Sequence, residues 1–256
     1  MSNQDKEIAR NALDKLMPRI IFTIGGKGGV GKTAVATTAT AWYDKHKIAV
    51  RLVDADSENK SRGSFHNFFP DRAPKIDISV PEGLDALVSS ITDEVPIVLC
   101  DQGSGAGRVT HDWFDLTYKQ LAKFGYTFTA IGVITDSPTS VASIFDWSDF
   151  LKDRVQYLIV KNRINRDVKF NYWDETIEVQ RFIDRYSPSV IEMPYLVPAL
   201  ENAIRNWNVP LADVAARKTD VPELQELMIV IRAGGHLDYM YEQFDRVKEV
   251  LLPCAN

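Results

Sequence analysis

One eight-residue stretch limits what this chain can fold into more than any other. Gly26-Lys27-Gly28-Gly29-Val30-Gly31-Lys32-Thr33 lies between an apolar run, Arg19 to Gly25, and a helical pattern, Lys32 to Lys45. A glycine-rich turn therefore joins the end of a strand to the start of a helix. Glycines let consecutive backbone N–H groups point inward, and the following helix offers its positive end at the same place. Such a turn is built to hold phosphate. The G-x-x-x-x-G-K-[ST] spacing predicts that Lys32 reaches the β- and γ-phosphates of a nucleotide and that Thr33 puts its hydroxyl on magnesium. Gly26, Gly28, Gly29, Val30, Gly31 and Ala34 complete the predicted phosphate-binding stretch.

The pattern of apolar strand followed by helix recurs along the chain. Ile48 to Asp54, Val95 to Asp101, Thr127 to Thr135, Val155 to Lys161 and Ser189 to Met193 are apolar, β-branched runs that read as buried parallel strands. Helical patterns separate them at Gly83 to Ile91, Thr110 to Phe124, Ser140 to Leu151 and Tyr172 to Tyr186. The expected fold is α/β, a doubly wound and mainly parallel sheet with helices on both faces. Residues 1–256 are expected to form one such domain. It carries an N-terminal helical appendage at about 4–17 and a C-terminal helical segment at about 221–252, whose apolar stripe includes Leu237, Met240, Phe244 and Leu251.

Composition excludes several classes of protein. Of the 256 residues 45% are hydrophobic and 25% charged, and no run approaches the roughly 18 apolar residues of a membrane span. Met1 to Arg10 is polar and lacks the apolar core of a secretory signal, so a cytoplasmic location is expected. Cys100 and Cys254 are the two cysteines and form no C-x-x-C pair, which argues against a disulfide framework, a zinc site or a cluster. His46, His66, His111 and His236 are scattered without metal spacing. A net charge of -5 gives no global reason for tight nucleic-acid binding.

The second lysine near the start of Lys27-Gly28-Gly29-Val30-Gly31-Lys32-Thr33 makes the chain resemble the ParA/MinD family of deviant Walker A ATPases, over most of its length. That resemblance implies Mg-ATP as cofactor, a homodimer formed with ATP, and a Lys27 that crosses the dimer to the partner's nucleotide as an arginine finger would. Leu52-Val53-Asp54-Ala55-Asp56 is similar to the family's D-x-D. It implies a water-orienting role for Asp56 and support of magnesium by Asp54. Pro96 to Asp101, followed by Gln102-Gly103, looks like Walker B and the start of a switch, with Asp101 on a magnesium-bound water and the Gly103 N–H near the γ-phosphate. Gln102 and the glycine-rich Ser104 to Gly107 depart from the family pattern. Asn162 resembles the residue that reads adenine in relatives, and Pro194 one that packs near the base. The catalytic set implied in this way is Lys27, Lys32 and Asp56.

Within that resemblance the expected function is a slow, partner-stimulated ATPase for plasmid or chromosome partition, conjugative transfer or cargo positioning. A protein activator or cargo adaptor would be its partner. No basic amphipathic helix of the membrane-anchoring kind is present. Lys161, Arg163, Arg166 and Lys169, with only Asp167 opposing them, are the candidate surface should nonspecific DNA be a partner. The sequence leaves open a small-molecule ligase or kinase on the same fold, with Thr135-Asp136-Ser137 toward the substrate, and a nucleotide-dependent interaction module with negligible hydrolysis.

Overall fold

Apolar runs without polar alternation become strands covered on both faces. The computed structural model describes residues 16–56, 62–78, 80–104 and 107–254, the side chains of 107–109 excepted. Its strands are β1 (Arg19–Ile24), β2 (Arg51–Ala55), β3 (Ile97–Gln102), β4 (Thr127–Ile134), β5 (Gln156–Asn162) and β6 (Ser189–Met193). They form one six-stranded sheet in the order β2-β3-β1-β4-β5-β6, and every pairing is parallel. All six coincide with the expected runs to within a few residues. After β3 the chain crosses over β1 to begin β4 on its other side. The crevice at the carboxyl ends of these strands is where an open α/β sheet binds ligands.

Side-chain alternation along β1 divides the core between the two faces. Ile20, Phe22 and Ile24 face helices α3 (Pro81–Ser89), α4 (Gly107–Lys123), α5 (Pro138–Leu151), α6 (Asn171–Glu175) and α7 (Ile177–Tyr186), through Leu84, Phe114, Ile144, Trp173 and Phe182. Ile21 faces the other way, toward α1 (Lys32–Lys45) and α10 (Leu227–Arg246), where Val35, Trp42, Met240 and Phe244 pack. A short helix α2 (Phe65–Phe68) follows β2. Helices α8 (Pro198–Trp207) and α9 (Leu211–Ala215) build a satellite cluster with α10 through Leu200, Val214 and Leu237.

The structure corrects some expected helices. The continuous helix over Tyr172 to Tyr186 is broken at Thr176, whose φ of -91° and ψ of 143° are extended; its hydroxyl donates to the Tyr172 carbonyl at 2.7 Å and closes the preceding turn. The apolar stripe expected from Leu237 to Leu251 falls mostly on a helix, α10, that already begins at Leu227 and ends at Arg246, where Val247 leaves helical geometry. Within 221–252 it is flanked by 3-10 turns at Pro222–Leu224 and Lys248–Val250. The helical appendage expected at about 4–17 lies outside the described residues apart from Leu16 and Met17, which are not helical.

Beyond α10 the chain turns back beneath the amino ends of the strands. The Met17 amide donates to the Cys254 carbonyl at 2.8 Å. Arg19, fully buried, donates to the carbonyls of Leu252 and Val250, to Thr129 Oγ1 and Gln156 Oε1, and to Cys254 Sγ. Among the described residues none of its acceptors is a carboxylate, so there neutral dipoles solvate the charge.

Candidate nucleotide site

Positive φ angles shape the loop between β1 and α1: 132° at Gly25, 76° at Gly29 and 103° at Gly31. Side chains rarely adopt such angles, so glycine is required at these turns. Gly31 is constrained twice, because a Cβ there would collide with the Asn162 amide. Nothing lies within 4 Å of where a Cβ would sit on Gly28 or Gly29, so the outer rim of the loop is open. Val30 pins the loop to the core. Helix α1 starts at Lys32 with no side-chain cap and no acidic residue in its first turn. Its positive end is therefore left for an anion to neutralise. The buried Lys32 ammonium donates to the carbonyls of Gly25 and Lys27, both at 3.3 Å, and so lies in the loop's own concavity. Glycine backbone, bare helix end and inward lysine together fit a phosphate chain.

Two carboxylates flank this loop because β2 and β3 are parallel neighbours that place Asp54 beside Asp101 in register. Asp101 accepts hydrogen bonds from Thr33 Oγ1 at 2.6 Å and Thr23 Oγ1 at 3.0 Å. Burial pushes its carboxyl up to about 6, against the lowering by the two hydroxyls; the charge of Asp54 adds to the rise. A cation at this point would favour the ionised form. The Thr33 hydroxyl and Asp101 carboxylate are the hard oxygen donors that magnesium takes, alongside water and phosphate oxygens. Asp54 is buried, accepts the Asp56 amide at 3.0 Å and the His66 amide at 2.8 Å, and has the Lys75 ammonium 3.7 Å away. Asp56 lies against Gly103, where a Cβ would come within 2.5 Å of its Oδ1.

The remaining expected residues arrange themselves around the loop. Lys27 is exposed, and its ammonium donates to Ser137 Oγ at 2.9 Å, just before α5. Asn162 ends β5 and donates from its side-chain amide to the Val30 carbonyl at 2.8 Å, so it braces the loop. Pro194 follows Met193, the register partner of Asn162. The basic loop is corrected: Lys161 pairs with Asp174 at 3.0 Å and Arg163 with Glu192 at 2.8 Å. Asp167 is thus not the only acid opposing that cluster, because folding brings acids from α6 and β6 onto it.

Sequence reasoning missed Thr23 and Lys75. Thr23 donates to Asp101 and accepts the Gln102 amide at 2.9 Å, linking β1 to the start of the switch. A hydroxyl in an otherwise apolar strand was its signal. Lys75 reaches the site because the Pro74 to Ile76 segment pairs beside Asp54, a contact that no local pattern encodes.

Residues 21–234 match the family model of the CobQ/CobB/MinD/ParA nucleotide binding domain. Among solved structures, a nucleotide-binding protein from Archaeoglobus fulgidus in complex with ADP aligns with a TM-score of 0.50 at 18% identity, over 86% of this chain and 96% of that one. The cell division protein MinD from Aquifex aeolicus aligns at 0.49 and 18%, covering 93% and 100%. A Borrelia burgdorferi protein described as a plasmid partition protein, bound to AMPPNP, aligns at 0.48 and 14%, covering 92% and 100%. No curated protein matches the sequence. With the family model spanning most of its length, from β1 into α10, the chain belongs to the CobQ/CobB/MinD/ParA family of nucleotide-binding domains.

Proposed function

We propose that the protein, as one P-loop unit over residues 1–256, binds Mg-ATP, dimerises around it and hydrolyses it slowly. In this reading it works in the cytoplasm in plasmid or chromosome partition, conjugative transfer or the positioning of a cargo. The observation that carries the reading is the division of two lysines around one loop. Lys32 is buried inside it with Thr33 and Asp101 alongside, whereas Lys27 stands exposed on its outer rim.

Each residue then has a distinct task. The backbone of Gly26 to Ala34 and the Lys32 ammonium neutralise the phosphates, so that charge moving during transfer meets fixed donors. Thr33 and Asp101 hold magnesium, supported by Asp54; bound there, the ion would neutralise charge on the β- and γ-oxygens. Asp56, next to Gly103, orients the attacking water. Asn162 and Pro194 border the base. Lys27 serves a second protomer, which makes turnover depend on association. A protein activator or cargo adaptor is the expected partner. The pairing of Lys161 and Arg163 with acids argues against DNA binding through that loop.

Size-exclusion chromatography with ATP, ADP or no nucleotide, followed by phosphate release, tests the reading. A dimer with ATP alone and slow phosphate release are expected. Lys32→Ala should abolish ATP binding in calorimetry. Lys27→Ala should keep ATP affinity but lose dimer and turnover. Equal effects of the two substitutions, confined to binding, would reject the division of roles.

A further inference from the structure

Lys27 places its charge at an unfavourable end of a helix. Its ammonium donates to Ser137 Oγ at 2.9 Å, and α5 begins at the next residue. A helix N-terminus is the positive end of the peptide dipole and disfavours a cation. Helix α5 carries no acidic residue in its first turn to offset this. Among the described residues Lys27 makes no ion pair, and the neutral Ser137 hydroxyl is the acceptor that holds it.

That hydroxyl is itself well placed. Ser137 Oγ is 2.8 Å from Thr139 Oγ1. The Ser137 carbonyl accepts from Ser140 Oγ at 2.7 Å, and its amide donates to Thr135 Oγ1 at 3.3 Å. A hydrogen bond from an exposed ammonium to a neutral hydroxyl is weaker than one to a phosphate oxygen, where both partners carry charge. Lys27 is thus held, still exposed, against its own protomer, and weakly enough to be taken by phosphate.

We propose that Ser137 is a positioning residue that keeps Lys27 on its own protomer, so that each protomer must release the lysine before it can reach the nucleotide of a second copy. Ser137 thereby sets how much ATP-loaded protein is needed before the dimer forms. This rests on the dimer reading above.

Sedimentation velocity in Mg-AMPPNP over a range of protein concentrations tests it, with nucleotide affinity measured separately by calorimetry. Ser137 makes no side-chain cap on α5, so Ser137→Ala removes the lysine's acceptor without uncapping the helix. It should lower the dimer dissociation constant about fivefold, since two modest hydrogen bonds no longer oppose association. Ser137→Asp exchanges the hydroxyl for a carboxylate and should raise the constant about tenfold, while Ser137→Thr should behave as wild type. AMPPNP affinity, measured at protein concentrations where the monomer prevails, should be the same in all three, which a damaged fold would not permit. Adding Ser137→Ala to Lys27→Ala should change nothing further, because the serine acts through the lysine. An unchanged or weaker dimer in Ser137→Ala, with Lys27→Ala still defective, overturns the holding site alone. A wild-type dimer in Lys27→Ala overturns both this inference and the reading it rests on.

Discussion

Glycine at position 103 is imposed by a side chain on the neighbouring strand's loop. Any Cβ there would press on Asp56 Oδ1 at 2.5 Å, and that carboxylate belongs to a turn whose backbone is fixed by Asp54. Gly103→Ala should therefore shift Asp56 while leaving the Gly26 to Thr33 loop intact. In the proposed reading Asp56 orients the attacking water, and misplacing such a group by about 1 Å costs roughly a hundredfold in rate. Phosphate release should fall by about that factor, with ATP affinity in calorimetry within about twofold of wild type; unchanged release would remove Asp56 from the chemistry. Residues of this kind separate what the sequence shows from what it hides. The loop around Lys32 was legible because its chemistry is contiguous. The apposition of Asp56 and Gly103, the bond from Thr23 to Asp101 and the acids on Lys161 and Arg163 join distant segments, and no local pattern records them.

Among the elements, strands were more legible than helices. Apart from the edge strand β6, where Val190 is exposed, the strands are largely apolar runs buried on both faces, whereas helix ends depend on single backbone angles such as those at Thr176 and Val247. The start of α10 was obscured because Leu227, Met228 and Ile231 are apolar yet exposed, which breaks the expected stripe. On its buried side His236 is pushed down to about 4 from an ordinary value of 6.5, because burial disfavours the imidazolium. The folded form therefore resists a proton that the unfolded chain accepts. Its contribution to stability is complete above pH 6.5 and is lost as the pH falls toward 4, by up to about 3 kcal/mol at 1.36 kcal/mol per unit. His236→Leu, which cannot titrate, should lose less stability than wild type between pH 7 and 4.5, as read from urea midpoints. Parallel declines in both proteins would assign the acid sensitivity of α10 to other groups.

Across the whole molecule, folding and ligand are coupled because the loop, β2 and β3 meet only in the native sheet. A ligand that binds the folded form alone stabilises it by RT ln(1 + [L]/Kd), about 2.7 kcal/mol at a hundredfold excess over Kd. Mg-ATP at that excess should raise the melting temperature by roughly 5 to 10 °C for a chain of this size. Lys32→Ala should melt at the same temperature with or without nucleotide. A wild-type shift in that variant would mean that ATP is held elsewhere. The class of sheet could be read from alternating strands and helices, since each βαβ unit requires a parallel crossover. The far end of the sheet could not, because it is closed by the chain's last described residues. Arg19 opens the first strand, but its guanidinium is received by the carbonyls of Val250 and Leu252 and by Cys254. A nascent chain leaves the ribosome N-terminus first, so this cation must keep its water until residues 250–254 have emerged. Drying of the seam beneath β1, β4 and β5 therefore waits for those residues, and a chain cut short of them would keep that seam wet and open to chaperones and proteases.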